Sequence, residues 1–118
     1  MAVDANARYK VTVWLVFNSP AAADLKVAWT TPAGVSGWWR SAGQFLGLGT
    51  DTVSQGALTW STTAQLEGAA ADKSIELLGV LVTGVTSGTL QLQWAQNTST
   101  PSNTTVKAYS VLTLQKIV

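Results

Sequence analysis

The stretch Arg8-Tyr-Lys-Val-Thr-Val-Trp-Leu-Val-Phe17 carries the clearest structural signal in this sequence. Apolar residues recur in it at every second position: Tyr9, Val11, Val13, Leu15 and Phe17. A period of two places these side chains on one face of an extended chain, so the stretch predicts a β-strand. Trp14 and Val16 make its second half apolar on both faces, which is typical of a strand between its own core and another packed surface.

The same reasoning predicts further strands along the chain. They fall at 25–31, 57–62, 74–83, 89–96 and 104–117. The run 74–83 is apolar nearly throughout and predicts a central strand that is covered on both faces. In 89–96 the alternation is regular, and we expect Leu90, Leu92 and Trp94 on the inner face.

Two segments between these strands lack a regular pattern. Residues 32–49 hold glycine at positions 34, 37, 43, 47 and 49, and we expect a long loop there, with or without a short strand, that carries Trp38 and Trp39 on a permissive backbone. Residues 64–72 are short and rich in small side chains, which predicts a loop or one helical turn.

Short strands that alternate with turns rich in Gly, Pro and Ser, without an amphipathic helix, indicate an all-β protein. We predict an antiparallel β-sandwich that forms a single domain over residues 1–118. With 118 residues, of which 47% are hydrophobic, the chain can bury a core of its own.

The composition argues against most enzyme mechanisms. The chain has no His and no Cys, so it lacks the usual general base at neutral pH, a thiolate nucleophile and the commonest metal ligands. Its acidic residues show no paired spacing of the kind that a glycosidase or a metal site needs. We therefore predict no catalysis, no cofactor and no metal site.

The charge distribution argues against nucleic acid and membrane partners. The seven basic residues are scattered singly and the formal net charge is +1, so the sequence has no basic patch for phosphates. The longest apolar run, 77–82, falls far short of the ~20 residues that span a bilayer. The start Met-Ala-Val-Asp-Ala-Asn lacks a basic region followed by an apolar stretch, so we expect no secretion signal.

Only 11% of the residues are charged, which is little to cover the apolar surface of a small domain. We therefore expect part of that surface to face another protein chain, with copies covering one another. Trp14 lies opposite the main apolar set of its strand, which favours a subunit interface. Trp29 and Trp94 are in phase with apolar strand neighbours and are expected to pack in the core.

Trp38-Trp39-Arg40 lies in the predicted loop, and Trp and Arg are enriched at binding hot spots. The two indoles have two interpretations: an anchor between subunits, or ordinary packing over one end of the sandwich. We assign five residues to a subunit or partner interface: Trp14, Trp38, Trp39, Arg40 and Tyr109. A minor alternative is contact with a glycan, with Trp38, Trp39 and Trp60 as a platform for sugar rings.

Three stretches resemble a module found in virion proteins of tailed phages, especially phages of actinobacteria. They are Pro-Ala-Ala-Ala-Asp-Leu-Lys-Val-Ala-Trp-Thr-Thr-Pro-Ala-Gly (20–34), Val-Thr-Gly-Val-Thr-Ser-Gly-Thr-Leu-Gln-Leu-Gln-Trp-Ala-Gln-Asn-Thr-Ser (82–99) and Thr-Thr-Val-Lys-Ala-Tyr-Ser-Val-Leu-Thr-Leu (104–114). The resemblance covers residues 3–118, and its motifs are strand-and-turn patterns. It implies a jelly roll similar to the trimeric tumour-necrosis-factor and complement-C1q heads.

The resemblance implies a structural role in the virion. We expect a homotrimer that decorates or stabilises the capsid or forms part of the tail apparatus, with other virion proteins as partners. The alternative is a receptor- or glycan-binding module of a tail fibre that contacts a host surface glycan. Family members usually carry a further strand before the stretch that matches 3–9, so one sheet edge is expected to be open or paired with a neighbouring subunit.

Overall fold

A computed structural model describes residues 1–42 and 57–117, and this part of the chain consists of β-strands without a helix. The strands are β1 (Ala2–Val3), β2 (Arg8–Asn18), β3 (Leu25–Thr30), β4 (Ser36–Ala42), β5 (Ala64–Leu66), β6 (Asp72–Val82), β7 (Gly88–Thr89), β8 (Gln91–Gln96), β9 (Thr105–Val106) and β10 (Val111–Ile117). All the pairings between these strands are antiparallel. The prediction of an all-β, antiparallel protein is confirmed.

The main sheet is built around β2 and β6, in the order β10-β2-β6-β4. β2 and β6 pair along all eleven residues of each strand, from Arg8 opposite Val82 to Asn18 opposite Asp72. The five alternating apolar residues of β2 are all buried: Tyr9, Val11, Val13, Leu15 and Phe17. The strand predicted from this stretch is therefore confirmed, and so is the central place of 74–83 in a sheet.

A smaller sheet has the order β5-β3-β8, and its strand β3 confirms the prediction over 25–31. β8 pairs with β3 along six residues, from Leu25 opposite Gln96 to Thr30 opposite Gln91. β1 pairs with β7, directly before β8. There Met1 and Leu90 exchange two backbone hydrogen bonds, of 2.7 and 2.8 Å, so the N-terminal residue is fixed to the start of β8.

The inner faces of the two sheets share one hydrophobic core. Trp29 of β3 lies edge to face against Trp39 of β4, with ring centroids 6.0 Å apart, and against Trp60 at 5.2 Å. The indole N–H groups of Trp39 and Trp60 donate to the carbonyl oxygens of Thr59 and Val80, at 2.9 and 3.2 Å. These three indoles join the sheets in a sandwich-like arrangement.

Residues 36–42 of the segment 32–49 form the strand β4 beside β6, so the alternative of a loop that contains a strand holds there. Gly37 lies within this strand at a φ of 98°, where a Cβ would overlap the carbonyl oxygen of Val80. The glycine therefore permits a close approach of two backbones and does not mark a turn. Residues 43–49 of the predicted loop lie outside the described residues.

Two other segments differ from their predictions. The strand predicted over 57–62 is reduced to one bridge, in which Leu58 and Trp39 exchange backbone hydrogen bonds of 2.8 and 2.9 Å. The loop or helical turn predicted over 64–72 contains the strand β5 and the first residue of β6. In both cases the structure depends on whether a neighbouring strand is present to pair with, because strand formation depends on pairing more than on local composition.

The strand predicted over 104–117 is divided into β9 and β10 by a bulge. Within the bulge the Ser110 hydroxyl accepts a hydrogen bond from the backbone N–H of Val16 at 3.0 Å, and the backbone N–H of Lys107 donates to the carbonyl of Val16 at 2.8 Å. Both backbone groups of Val16 on β2 thus have hydrogen-bond partners in the bulge. The side chain of Tyr109 projects from the bulge and is 80% exposed.

Asp4 connects the N-terminal segment to the last strand. Its Oδ2 accepts hydrogen bonds from Lys116 Nζ at 2.9 Å and from the Tyr9 hydroxyl at 3.2 Å. The Lys116 hydrogen bond, followed by that of Tyr9, lowers the pKa of Asp4, and the same ion pair raises the pKa of Lys116. Because both charged groups are exposed, this contact fixes geometry and contributes little stability.

A test of the core concerns Gly79, on β6 beneath Trp39 and Trp60. A Cβ at this position would lie 2.8 Å from Trp39 Cβ, 2.9 Å from the Trp38 carbonyl oxygen and 3.0 Å from Trp60 Cη2. Gly79→Ala is therefore expected to lower the free energy of unfolding by about 1–3 kcal/mol through overpacking, as measured by urea denaturation.

Ser74→Ala is the matched control for this substitution, because Ser74 lies on the same strand and is exposed. It should change the free energy of unfolding by no more than about 0.5 kcal/mol. Equal effects of the two substitutions would show that the indoles do not pack on Gly79 as described.

Candidate interaction surface

The large exposed apolar side chains of the main sheet lie on the face turned away from the core. Opposite residues of an antiparallel pair share a face, and the register places Trp38 beside Val80 and Trp14 beside Val111. The set that we name the outer face consists of Trp14, Trp38, Val80, Val111 and Ile117. Each of these side chains is between 37% and 58% exposed, which is unusual for residues of their size.

Trp38 and Trp39 lie on opposite sides of the sheet because they are neighbours on a strand. Trp38 is 58% exposed, whereas Trp39 is only 2% exposed. The two interpretations of this pair therefore separate: Trp39 packs inside the domain, and Trp38 stays available to a partner. The sequence did not distinguish them because no strand could be placed within 32–49, and adjacent side chains of a loop have no fixed alternation.

A shallow groove of about 600 Å³ runs over the outer face beside Trp38. Its apolar floor comes from the β6 residues Leu78 and Val80. Lys10, Arg40 and Glu76 surround this floor with charge, and the lining extends to Ile117. An apolar centre inside a charged rim is the usual composition of a protein contact surface.

The structure brings most of the predicted interface residues to one side of the molecule. Trp38 and Arg40 are exposed on the same face of β4, and Trp14 is 48% exposed on the same face of the sheet, two strands away. Tyr109 lies in the bulge two residues before Val111, the neighbour of Trp14. Trp39 is the exception, since it is buried in the core.

The sequence interpretation missed the contributions of Leu78, Val80 and Val111 to this surface. The signal was present, because the run 74–83 is apolar on both faces and was expected to be covered on both. One of those faces, with Val80 41% exposed, is uncovered in the described part of the chain. The apolar pattern therefore did not indicate which of the two faces of this strand is exposed in the described residues.

Trp94 corrects a second expectation. It was predicted to pack in the core, and its register partner on β3 is the fully buried Val27, so it does lie on the inner side of the smaller sheet. It is nevertheless 45% exposed. The reason is that, among the described residues, β8 is the last strand of its sheet, so that its inner side chains are covered from one side only.

A second, smaller cavity of about 230 Å³ lies on the smaller sheet beside Lys26, Gln93 and Trp94. Among residues 1–42 and 57–117 there is no cluster of three or more Asp or Glu side chains that could hold a metal ion. No helix in the same residues is long and apolar enough to cross a membrane. The chain matches no protein-family model, and neither a curated protein nor a solved structure shows significant similarity to it.

The division of the adjacent indoles can be tested by stability. Trp39→Ala should lower the free energy of unfolding by about 3–5 kcal/mol, because it leaves a cavity between the sheets. In the unassembled chain, Trp38→Ala should change it by no more than about 0.5 kcal/mol, since there the side chain is largely in solvent. Urea denaturation followed by circular dichroism measures both, and similar losses for the two variants would contradict the alternation.

Proposed function

We propose that this chain is a non-enzymatic structural protein of a tailed-phage virion. It assembles into a homotrimer and decorates or stabilises the capsid, or forms part of the tail apparatus. The observation that carries the proposal is the outer face: aromatic and aliphatic side chains, framed by charge, on a rigid sheet whose own core is already complete. The resemblance of 20–34, 82–99 and 104–114 to tailed-phage virion modules supplies the setting.

The mechanism is cohesion between copies. Trp14 and Trp38 are the anchors, since exposed Trp side chains bury large apolar areas and dominate the energetics of protein contacts. Lys10, Arg40 and Glu76 fix the orientation of the contact, because opposite charges must be matched around it. Many copies on one particle then multiply a modest contact free energy per subunit.

The proposal extends to the detailed topology, which we assign as a jelly roll. Neighbouring strands in both sheets are distant in sequence, as β2 and β6 or β3 and β8 are. The chain therefore crosses repeatedly between the sheets, which supports a fold of the jelly-roll kind. Rings of three copies are common for such heads in the family that the sequence resembles.

The assembly is tested by light-scattering mass of the purified chain. We expect a mass that is a multiple of three chains, each of 12.4 kDa. In the double variant Trp14→Ser/Trp38→Ser the three-fold contact should be lost and the mass should fall threefold, with an unchanged circular dichroism spectrum. Val85→Ser is the control, because Val85 is 87% exposed in a turn outside the outer face.

If the unmodified chain stays a stable monomer at high concentration, the proposed homotrimer is refuted. The virion setting has its own test, which is mass spectrometry of purified particles of the phage that encodes the chain. Stoichiometric presence of the chain in washed particles is expected, and its absence would refute the structural role.

One observation favours a second function, the binding of a glycan. An exposed indole, Trp38, borders a groove that also presents Lys10, Arg40 and Glu76, and sugar rings combine stacking on an indole with polar hydrogen bonds. The predicted three-ring platform does not exist, because Trp39 and Trp60 are only 2% and 3% exposed. A single-ring site at Trp38 remains.

A glycan array followed by a tryptophan-fluorescence titration tests this second function. Saturable quenching that disappears in Trp38→Ala, while Trp14→Ala retains it, would support sugar binding in the groove. Absence of saturable binding to all arrayed glycans would leave only the structural role.

A further inference from the structure

A closed ring of three copies needs two different surfaces on each copy, because only a two-fold axis can set a surface against itself. The outer face, with its groove beside Trp38, is one of these surfaces. The other surface of the contact must therefore lie elsewhere on the same chain, and it must complement the groove in charge and shape.

The groove carries charges of both signs around its apolar floor. Lys10 of β2 and Trp38 of β4 lie on either side of Val80, since both are its register partners. Arg40 follows on the same face of β4, and Glu76 is the acidic residue of the lining. Within residues 1–42 and 57–117, neither Lys10 nor Arg40 forms a salt bridge. The groove thus favours a segment that brings a carboxylate to these two cations.

Glu67 is the acidic side chain that the described residues leave available for this purpose. Asp4 and Asp72 already form salt bridges with lysines. Asp24 accepts a hydrogen bond from a backbone N–H at 2.9 Å, and Glu76 belongs to the groove itself. The carboxylate of Glu67 is exposed and has no hydrogen-bond or salt-bridge partner in the described part of the chain.

Glu67 begins the segment between β5 and β6, which we name the acidic loop (67–71). Its residues 69–71 are alanines and all are exposed, so no bulky side chain keeps the loop from an apolar floor. Two backbone N–H groups of the loop donate to the Asp24 carboxylate and to the Ser19 carbonyl, both at 2.9 Å. The loop is therefore held in place before any contact, which lowers the entropic cost of binding.

Lys73 adds a charge of the opposite sign next to this loop. Its Nζ donates to the backbone carbonyl of Glu67 at 3.2 Å. The groove presents the reverse arrangement, because Arg40 and Glu76 are diagonal neighbours on β4 and β6, with Cα atoms roughly 7–8 Å apart. A contact that sets Glu67 against Arg40 can thus set Lys73 against Glu76 at the same time, and both charges are matched.

The acidic loop cannot fill the groove of its own copy. It ends where β6 begins, at Asp72, whereas the floor of the groove is formed by Leu78 and Val80 of the same strand. An extended strand places Leu78 roughly 20 Å from Asp72, at ~3.4 Å per residue. The loop that enters a groove therefore belongs to another copy.

We propose that the acidic loop of one copy enters the groove of the next copy, with Glu67 against Arg40 and its alanines against Trp38. This contact rests on the proposed homotrimer, and it specifies how the subunits of that trimer meet. The contact joins two different surfaces, so three copies can repeat it around a three-fold axis.

Charge reversal tests the contact, with the light-scattering mass followed over a dilution series. Arg40→Glu and Glu67→Arg each bring like charges together, so each should raise the concentration at which half of the trimers dissociate by about tenfold or more. The double variant Arg40→Glu/Glu67→Arg restores an opposite pair and should recover most of that loss. Circular dichroism checks that each variant is folded.

The matched control places the compensating charge at a different site. Gln91 is exposed on β8, outside both the groove and the acidic loop. The variant Arg40→Glu/Gln91→Arg has the same net charge as Arg40→Glu/Glu67→Arg, but it should not recover assembly. Equal recovery in the two double variants would show that net charge governs assembly, and it would overturn the contact with Glu67.

The same measurements separate this contact from the homotrimer. If the unmodified chain is a monomer, the homotrimer fails and the loop contact fails with it. If the unmodified chain is a trimer and Glu67→Arg dissociates no more readily, the homotrimer stands and the loop contact is refuted. Because Glu67 is exposed, this substitution leaves the core intact and keeps the test independent of folding.

Discussion

The pairing of β2 with β6 is the constraint on which the rest of the structure depends. Each strand is apolar on two faces over part of its length, β2 at Trp14 and Val16 and β6 at 78–82, yet a single sheet has only one face toward its core. On the inner face of β6, Gly79 has no side chain, and this leaves room for the indoles of Trp39 and Trp60. Once those indoles fill the interior, strict alternation leaves Trp38 and Val80 outside.

The six tryptophans therefore do three different things, and position on a strand decides which. Trp29, Trp39 and Trp60 pack between the sheets and satisfy two of their N–H groups on backbone carbonyls. Trp14 and Trp38 belong to the outer face, where burial requires another molecule. Trp94 is intermediate: its side is inward, but its strand is the last of its sheet. The composition gives only the number of indoles. The strand register decides which of them lie in the core and which lie on the outer face.

Much of the fold could be predicted from the sequence wherever a strand pattern is regular. The alternation in 8–17 and the apolar run 74–83 sufficed for the central pair, because burial of one or both faces leaves a direct trace in the order of residues. The position of β4 could not be predicted, since the glycines of 32–49 suggest a loop with at most a short strand and only the approach to β6 shows why Gly37 is needed. Of the residues that the sequence assigns to an interface, Trp14 and Trp38 are exposed on the outer face, whereas Trp39 packs in the core.

An apolar face is not directional, so any contact on the outer face needs charges to fix its orientation. Lys10, Arg40 and Glu76 stand around its apolar floor, although only 11% of the residues of the chain are charged. Opposite charges at this rim can therefore select one alignment where hydrophobic burial alone would accept many.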